Sequence, residues 1–304
     1  VPISAIAAPV GWRLLRPSPV AKDQRFDPVG AALFLLAAVL LLLGLNQGDA
    51  WGWGSPLTLA LFALVVLTAA AFIWVERRVE QPTVDLTLFR NRAFAAAVSS
   101  AFLGFLALSP VILLMPFYYQ LVLDVPVDQS GLLLIAIPAT VVFLAPVSGA
   151  LSDRFGSRLI ASLGLLLETI GLATLIFLPA DGPAIFAAAR LILVGIGIAL
   201  FQSPNSSALF GSVPPSRLGL VGGFQALTRN LGQSLGQAVA GVMWSGVVLS
   251  AAVVASAVEA PPEAMLAGFR VVFTWSTALA VAAMLVSLLG RPRETHGRPQ
   301  ETSR

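Results

Sequence analysis

The chain has no cysteine and a single histidine, His296, among its 304 residues. The first absence excludes a disulfide framework, thiolate catalysis and any cysteine-based metal site. The second excludes a histidine metal centre and any chemistry that needs an imidazole in the apolar body of the chain, because His296 lies in a polar tail. Charge is also scarce: 11% of the residues are Asp, Glu, Lys or Arg, against roughly 25% in a soluble domain. The first residue is Val, and no charged segment with an apolar run and cleavage signature follows it, so no signal peptide is read. The chain is expected to begin inside a longer reading frame.

Apolar residues take the place of charge: 57% of the chain is hydrophobic, with a mean hydropathy of +0.89. That composition describes an integral membrane protein. A span needs about 20 apolar residues to cross a hydrocarbon core of about 30 Å. Residues 1–15 are apolar but broken by Pro2 and Pro9. At about 1.5 Å per residue they cover only about 22 Å and read as the end of a truncated helix. Complete spans are predicted at 28–45, 56–75, 93–121, 129–151, 159–178, 183–210, 219–249 and 268–289. Residues 48–55 read as a turn with two interfacial tryptophans, 250–267 as a small acidic loop, and 291–304 as a disordered polar tail. The predicted organisation is therefore all-α. Residues 16–92 hold polar linkers and two central helices, and 93–290 form a six-helix bundle.

Fifteen of the 18 basic residues fall in 13–25, 76–92, 152–158, 211–218 and 291–304. The alternating connections, 46–55, 122–128, 179–182 and 250–267, hold none. By the positive-inside rule the basic set is cytoplasmic, which places the C-terminus in the cytoplasm and the chain as a multi-pass protein of the cell membrane.

Residues 149–158, Gly-Ala-Leu-Ser-Asp-Arg-Phe-Gly-Ser-Arg, read as the charged turn of a helical hairpin at the membrane surface. Gly149 would let two helix ends approach, Gly156 would take a positive φ, and Asp153 would cap or pair across the turn. Arg154 and Arg158 sit where headgroups begin. On charge alone, an ordinary basic loop of a polytopic protein would look the same. The order Gly149, Leu151, Asp153, Arg154, Gly156, Arg158 resembles the loop motif of the major facilitator superfamily of secondary transporters. Other stretches resemble that family's fourteen-spanning drug:proton antiporters: Phe26-Asp27-Pro28-Val29-Gly30, Trp51-Gly52-Trp53-Gly54-Ser55-Pro56, Leu88-Phe89-Arg90-Asn91-Arg92 and Thr228-Arg229-Asn230-Leu231-Gly232-Gln233-Ser234. The resemblance implies the C-terminal part of such a pump, from about its sixth helix onward, with the N-terminal bundle as the missing partner. It also implies that Asp153 gates the inward-closed state.

Three ionisable residues inside the predicted spans are singled out, since each is costly there and marks a functional hypothesis. Glu168 is a proton-coupling candidate or a neutral structural acid on a helix the resemblance makes peripheral. Arg190 either attracts an anionic group or snorkels to the outer interface. Arg229 shares a four-residue stripe with Gln225, Gln233 and Gln237, beside a small-residue face of Gly232, Gly236 and Ala240. That helix is expected at the interface between the two bundles, or else packed within one. Gln202 and Asn205, with Ser206, surround Pro204, whose missing N–H frees a backbone carbonyl for water or substrate. Tyr118, Tyr119 and Gln120 either line a site for amphipathic or cationic solutes or belong to an interfacial aromatic belt. The expected partners are the lipid bilayer, protons and such a solute; no nucleic acid, cofactor or metal is expected. Other cargoes (lipid, siderophore or metabolite) and a non-transporting membrane scaffold remain as alternatives. A membrane-embedded enzyme is disfavoured, because the short loops offer no acidic or histidine cluster.

Overall fold

The computed structural model describes residues 28–78, 86–213, 218–252 and 256–289. Expectations for residues 1–27, most of the linker at 79–85 and the tail from 290 therefore lie outside the described residues. Among the described residues nine α-helices follow in order: α1 (Pro28–Trp51), α2 (Pro56–Glu76), α3 (Arg92–Phe117), α4 (Val127–Leu134), α5 (Ala136–Phe155), α6 (Ser157–Leu175), α7 (Ala184–Gly211), α8 (Leu218–Ala251) and α9 (Pro262–Leu289). Because α4 and α5 run on as one rod, these make eight segments long and apolar enough to cross a membrane. Among the described residues there is no strand.

Local chemistry sets the boundaries. The Ser55 side chain accepts a hydrogen bond from the Thr58 N–H and Pro56 takes the first helical position, so α2 starts there. Asn91 caps α3 in the same way, accepting from the Ala93 N–H at 3.0 Å. The predicted turn at 48–55 shrinks to Gly52–Ser55, since α1 continues to Trp51. Gly48 makes this possible: a Cβ there would meet the Trp53 ring at 2.6 Å, and Trp53 stacks on Phe62 across the turn. The rod 127–155 breaks at Ile135 because Pro138, lacking an N–H, cannot bond the Leu134 carbonyl. Pro110 leaves the Leu106 carbonyl free in α3 in the same manner. There the Ser109 hydroxyl donates to it at 3.0 Å and the helix continues. The acidic loop predicted at 250–267 is shorter than expected, for α9 begins at Pro262.

The core is built from close helix approaches at glycines. A Cβ at Gly164 (α6) would overlap the α7 backbone at Leu200 and Phe201; one at Gly197 (α7) would overlap the Glu168 backbone. Gly171 would meet Val194 N at 2.9 Å. The α6–α7 seam is thus backbone against backbone, the packing that lipid favours because apolar burial drives nothing there. On another side of α7, Gly195 lies against Thr140 of α5. Gly232 and Gly236 of α8 seat on α3 at Phe102, Phe105 and Leu106. Helix α3 is the most enclosed span and α4–α5 the most open. The hairpin α1–α2 joins the six-helix bundle through α1, which lies along α8.

Candidate functional site

Most of the segment 149–158 is helix rather than loop. Gly149, Leu151, Asp153 and Arg154 occupy the last turns of α5, and Arg158 lies in the first turn of α6. The corner is Gly156 alone, at φ 88° and ψ 139°, with its N–H bonded to the Ser152 carbonyl at 2.9 Å. This is a region of backbone space that only glycine enters without strain. Gly149 does not bring the two hairpin helices together. Its nearest neighbour is the Ser203 hydroxyl of α7, in ordinary contact at 3.9 Å. Asp153 is exposed and has no side-chain partner among the described residues, so it neither caps nor pairs across the turn. Arg154 is exposed over the Phe155 ring, with 5.3 Å to the centroid. Arg158 reaches the Leu288 carbonyl at the end of α9, where a cation complements the helix dipole. One turn further on, the buried Ser162 and Ser287 hydroxyls share a hydrogen bond of 3.0 Å. Together these contacts lock the start of α6 to the end of α9.

The stripe on α8 divides. The Gln225 amide donates to Ser206 of α7, whose own hydroxyl donates to the Gln202 carbonyl at 2.8 Å. This brings Gln225, Ser206 and Gln202 into one chain of hydrogen bonds, with Asn205 buried beside Pro204. Arg229, one turn along, is exposed and has no side-chain partner among the described residues. The glycine face, Gly232 and Gly236, packs on α3 inside this bundle.

At the opposite end of the bundle, Tyr118 and Tyr119 lie in a single π-turn, Tyr118–Val122, that closes α3. Both rings are inside the apolar core rather than on its rim. Tyr118 donates to the Pro179 carbonyl at 3.0 Å, and the Tyr119 hydroxyl is buried without a hydrogen-bond partner. The Gln120 amide donates to Ser130 at 3.3 Å, joining α3 to α4. Arg190 is half-buried and donates to the Phe177 carbonyl at 2.9 Å, just past the end of α6, so it caps a helix C-terminus. Glu168 is buried at the α6–α7 seam, and its Oε1 has no hydrogen-bond partner. Among the described residues no cluster of His, Cys, Asp or Glu has a metal-binding arrangement.

Several features escaped the sequence. Arg270 is a fourth ionisable residue within a span, exposed on α9. It was legible, since it lies two residues into the predicted span 268–289, and it was passed over. Gly164 and Gly171, seven residues apart on α6, carried a readable small-residue signal. A cleft of about 410 Å³ between α1, α3 and α8, lined in part by Gln237 and Trp244, depends on how α1 docks and had no sequence signal.

Among the described residues, eight segments long and apolar enough to cross a membrane, glycine seams and a charged helix corner define a polytopic helical bundle of the transporter type. Comparison with known proteins makes this specific. The family model described as Major Facilitator Superfamily matches residues 26–237, and the chain belongs to that superfamily. It is 32% identical over 240 residues to the riboflavin transporter RibZ of Clostridioides difficile, covering 78% of this chain and 51% of that one. It is 32% identical over 220 residues to the multidrug resistance protein Stp of Mycobacterium tuberculosis, covering 72% and 41%. The tetracenomycin C resistance and export protein of Streptomyces glaucescens is 30% identical over 244 residues, covering 80% and 45%. The chain spans about half the length of the curated relatives it matches.

Proposed function

We propose that the whole protein is a secondary active exporter of amphipathic drug-like solutes that exchanges them for protons by alternating access. In this reading the described residues form its C-terminal six-helix bundle with two central helices. The observation that carries it is the match over 26–237 together with relatives named for multidrug resistance and antibiotic export. Binding and conformational change are its chemistry, with no bond-making step assigned. In this reading the protein lies in the cell membrane with the Gly156 corner and the C-terminus in the cytoplasm, an orientation that the distribution of arginines supports. Asp153, exposed at that corner, would pair with the half of the transporter that the relatives possess beyond this match. Glu168 is the proton-coupling candidate on this chain. A same-fold metabolite transporter is the second reading, favoured by the likeness to a protein named as a riboflavin transporter.

The test is efflux of ethidium from cells expressing the full-length protein, with and without an uncoupler. Uncoupler-sensitive efflux that Asp153→Asn reduces, at equal membrane abundance, supports the reading. Ethidium retention by the wild type, alongside riboflavin transport, would move the second reading to the front. Topology is checked separately, since the chain has no native cysteine. Ser157→Cys should resist an impermeant maleimide applied outside, and Ser256→Cys should react; the reverse pattern would overturn the orientation.

A further inference from the structure

Helix α8 carries a second face that α1 covers only in part. Ser234, Gln237, Gly241 and Ser245 recur at intervals of three and four, so they form one stripe along the helix. The glycine face of the same helix, Gly232 and Gly236, is sealed by α3. The Ser234–Ser245 stripe instead lines the 410 Å³ cleft. Leu45 of α1 forms part of the opposite wall, and Phe117 and Trp244 supply aromatic surface. Those two rings are already fixed, stacked on each other at 5.5 Å with Trp244 stacked in turn on Phe269 at 5.8 Å. The Gln237 amide is half-buried and has no partner among the described residues.

Polar and small residues on a span are costly in contact with hydrocarbon unless they pack or bind. Here they do not pack. The volume lies within the range of small-molecule sites, about 300–1,000 Å³, and is too small for another helix of about 10 Å diameter. The lining combines apolar and aromatic side chains with a few polar groups, the composition of a ligand pocket. Among the described residues its lining has no ionisable side chain, and a charged occupant would lose hydration with no counter-ion from them to replace it. We infer that the cleft between α1 and the α3–α8 pair is a binding site for an uncharged aromatic solute bearing a hydrogen-bond acceptor. The Gln237 amide donates to that acceptor, and the Phe117 and Trp244 rings contact the aromatic body. The inference rests on the exporter reading and adds to it an uncharged aromatic solute held at this cleft.

The probe is Nile red, an uncharged fused-ring dye with a carbonyl, added to the full-length protein in detergent. Ser245→Cys is close in size to the native residue and provides a thiol within the cleft; Ser250→Cys, exposed near the end of α8, is the control. Nile red should slow maleimide labelling at 245 by about tenfold, a factor equivalent to 1.4 kcal/mol, and leave 250 unchanged. Gly241→Trp, which fills the cleft, should weaken Nile red binding, whereas Val271→Trp on an exposed face of α9 should not. Unchanged labelling at 245 overturns the site. So does equal protection by an excess of phospholipid, which would make the cleft a lipid groove. If Nile red still binds the Gly241→Trp protein and is still exported, the cleft is wrong while the exporter reading stands. If ethidium efflux is also absent, that reading fails as well.

Discussion

Gly156 and Glu168 show two different ways in which one residue constrains this chain. At Gly156 there is open space: nothing lies within 4 Å of where a Cβ would be. The constraint is the backbone, since φ 88° with ψ 139° is strained for any other residue by about 1–3 kcal/mol. Gly156→Ala should therefore lower the temperature at which the purified protein loses its monodisperse peak, although the added methyl touches nothing. An unchanged transition would mean that the corner has another conformation. At Glu168 the constraint is the surroundings. Its carboxyl is buried at the close α6–α7 seam, with one oxygen unpartnered. If that carboxyl carries the exchanged proton, Glu168→Gln should abolish substrate-driven proton movement and leave the fold intact. If it is only a structural acid, proton movement should persist in the variant. The residue types of the 149–158 segment were legible in the sequence, and so was the special role of Gly156. The exposure of Asp153 and the partner of Arg158 were not. Nothing in the order of residues says that Arg158 reaches Leu288, because that contact depends on how α6 and α9 pack.

Among the elements, the α6–α7 pair is the firmest. Gly164, Gly171 and Gly197 let two backbones touch over two turns, and larger side chains there have no room to move aside. Gly197→Leu should destabilise the bundle by about 1–3 kcal/mol through overpacking, and by more if the helices must separate. Gly211→Leu, at the end of the same helix with nothing within 4 Å, should be close to neutral. Equal effects of the two substitutions on thermal stability would contradict the seam. Spans were readable because apolar length and flanking arginines are local properties. Their ends were less so: α1 outran its predicted end by six residues, and α9 began six residues early at Pro262. In each case an interaction outside the span decided the boundary, a ring against Gly48 in the first and a proline at the helix start in the second. The burial of Tyr118 and Tyr119 was unreadable for a related reason. An aromatic pair at a span end has the same sequence whether it faces lipid or core, and the π-turn that draws it inward is a tertiary outcome.

On the scale of the molecule, the account rests on an asymmetry within the bundle. Helices α3, α6 and α7 are well enclosed, whereas α4–α5 is open and Arg229 of α8 is exposed. A transporter that alternates between two facings needs one rigid body to move against another, and this bundle has both a rigid seam and uncovered faces. The most direct measurement uses the full-length protein in liposomes loaded with a pH-sensitive dye and made acidic inside. Adding a transported solute outside should raise the internal pH as protons leave in exchange, and the change should disappear when the pH gradient is collapsed. Solute entry with no change in internal pH would contradict proton exchange and leave a facilitator in place of the antiporter.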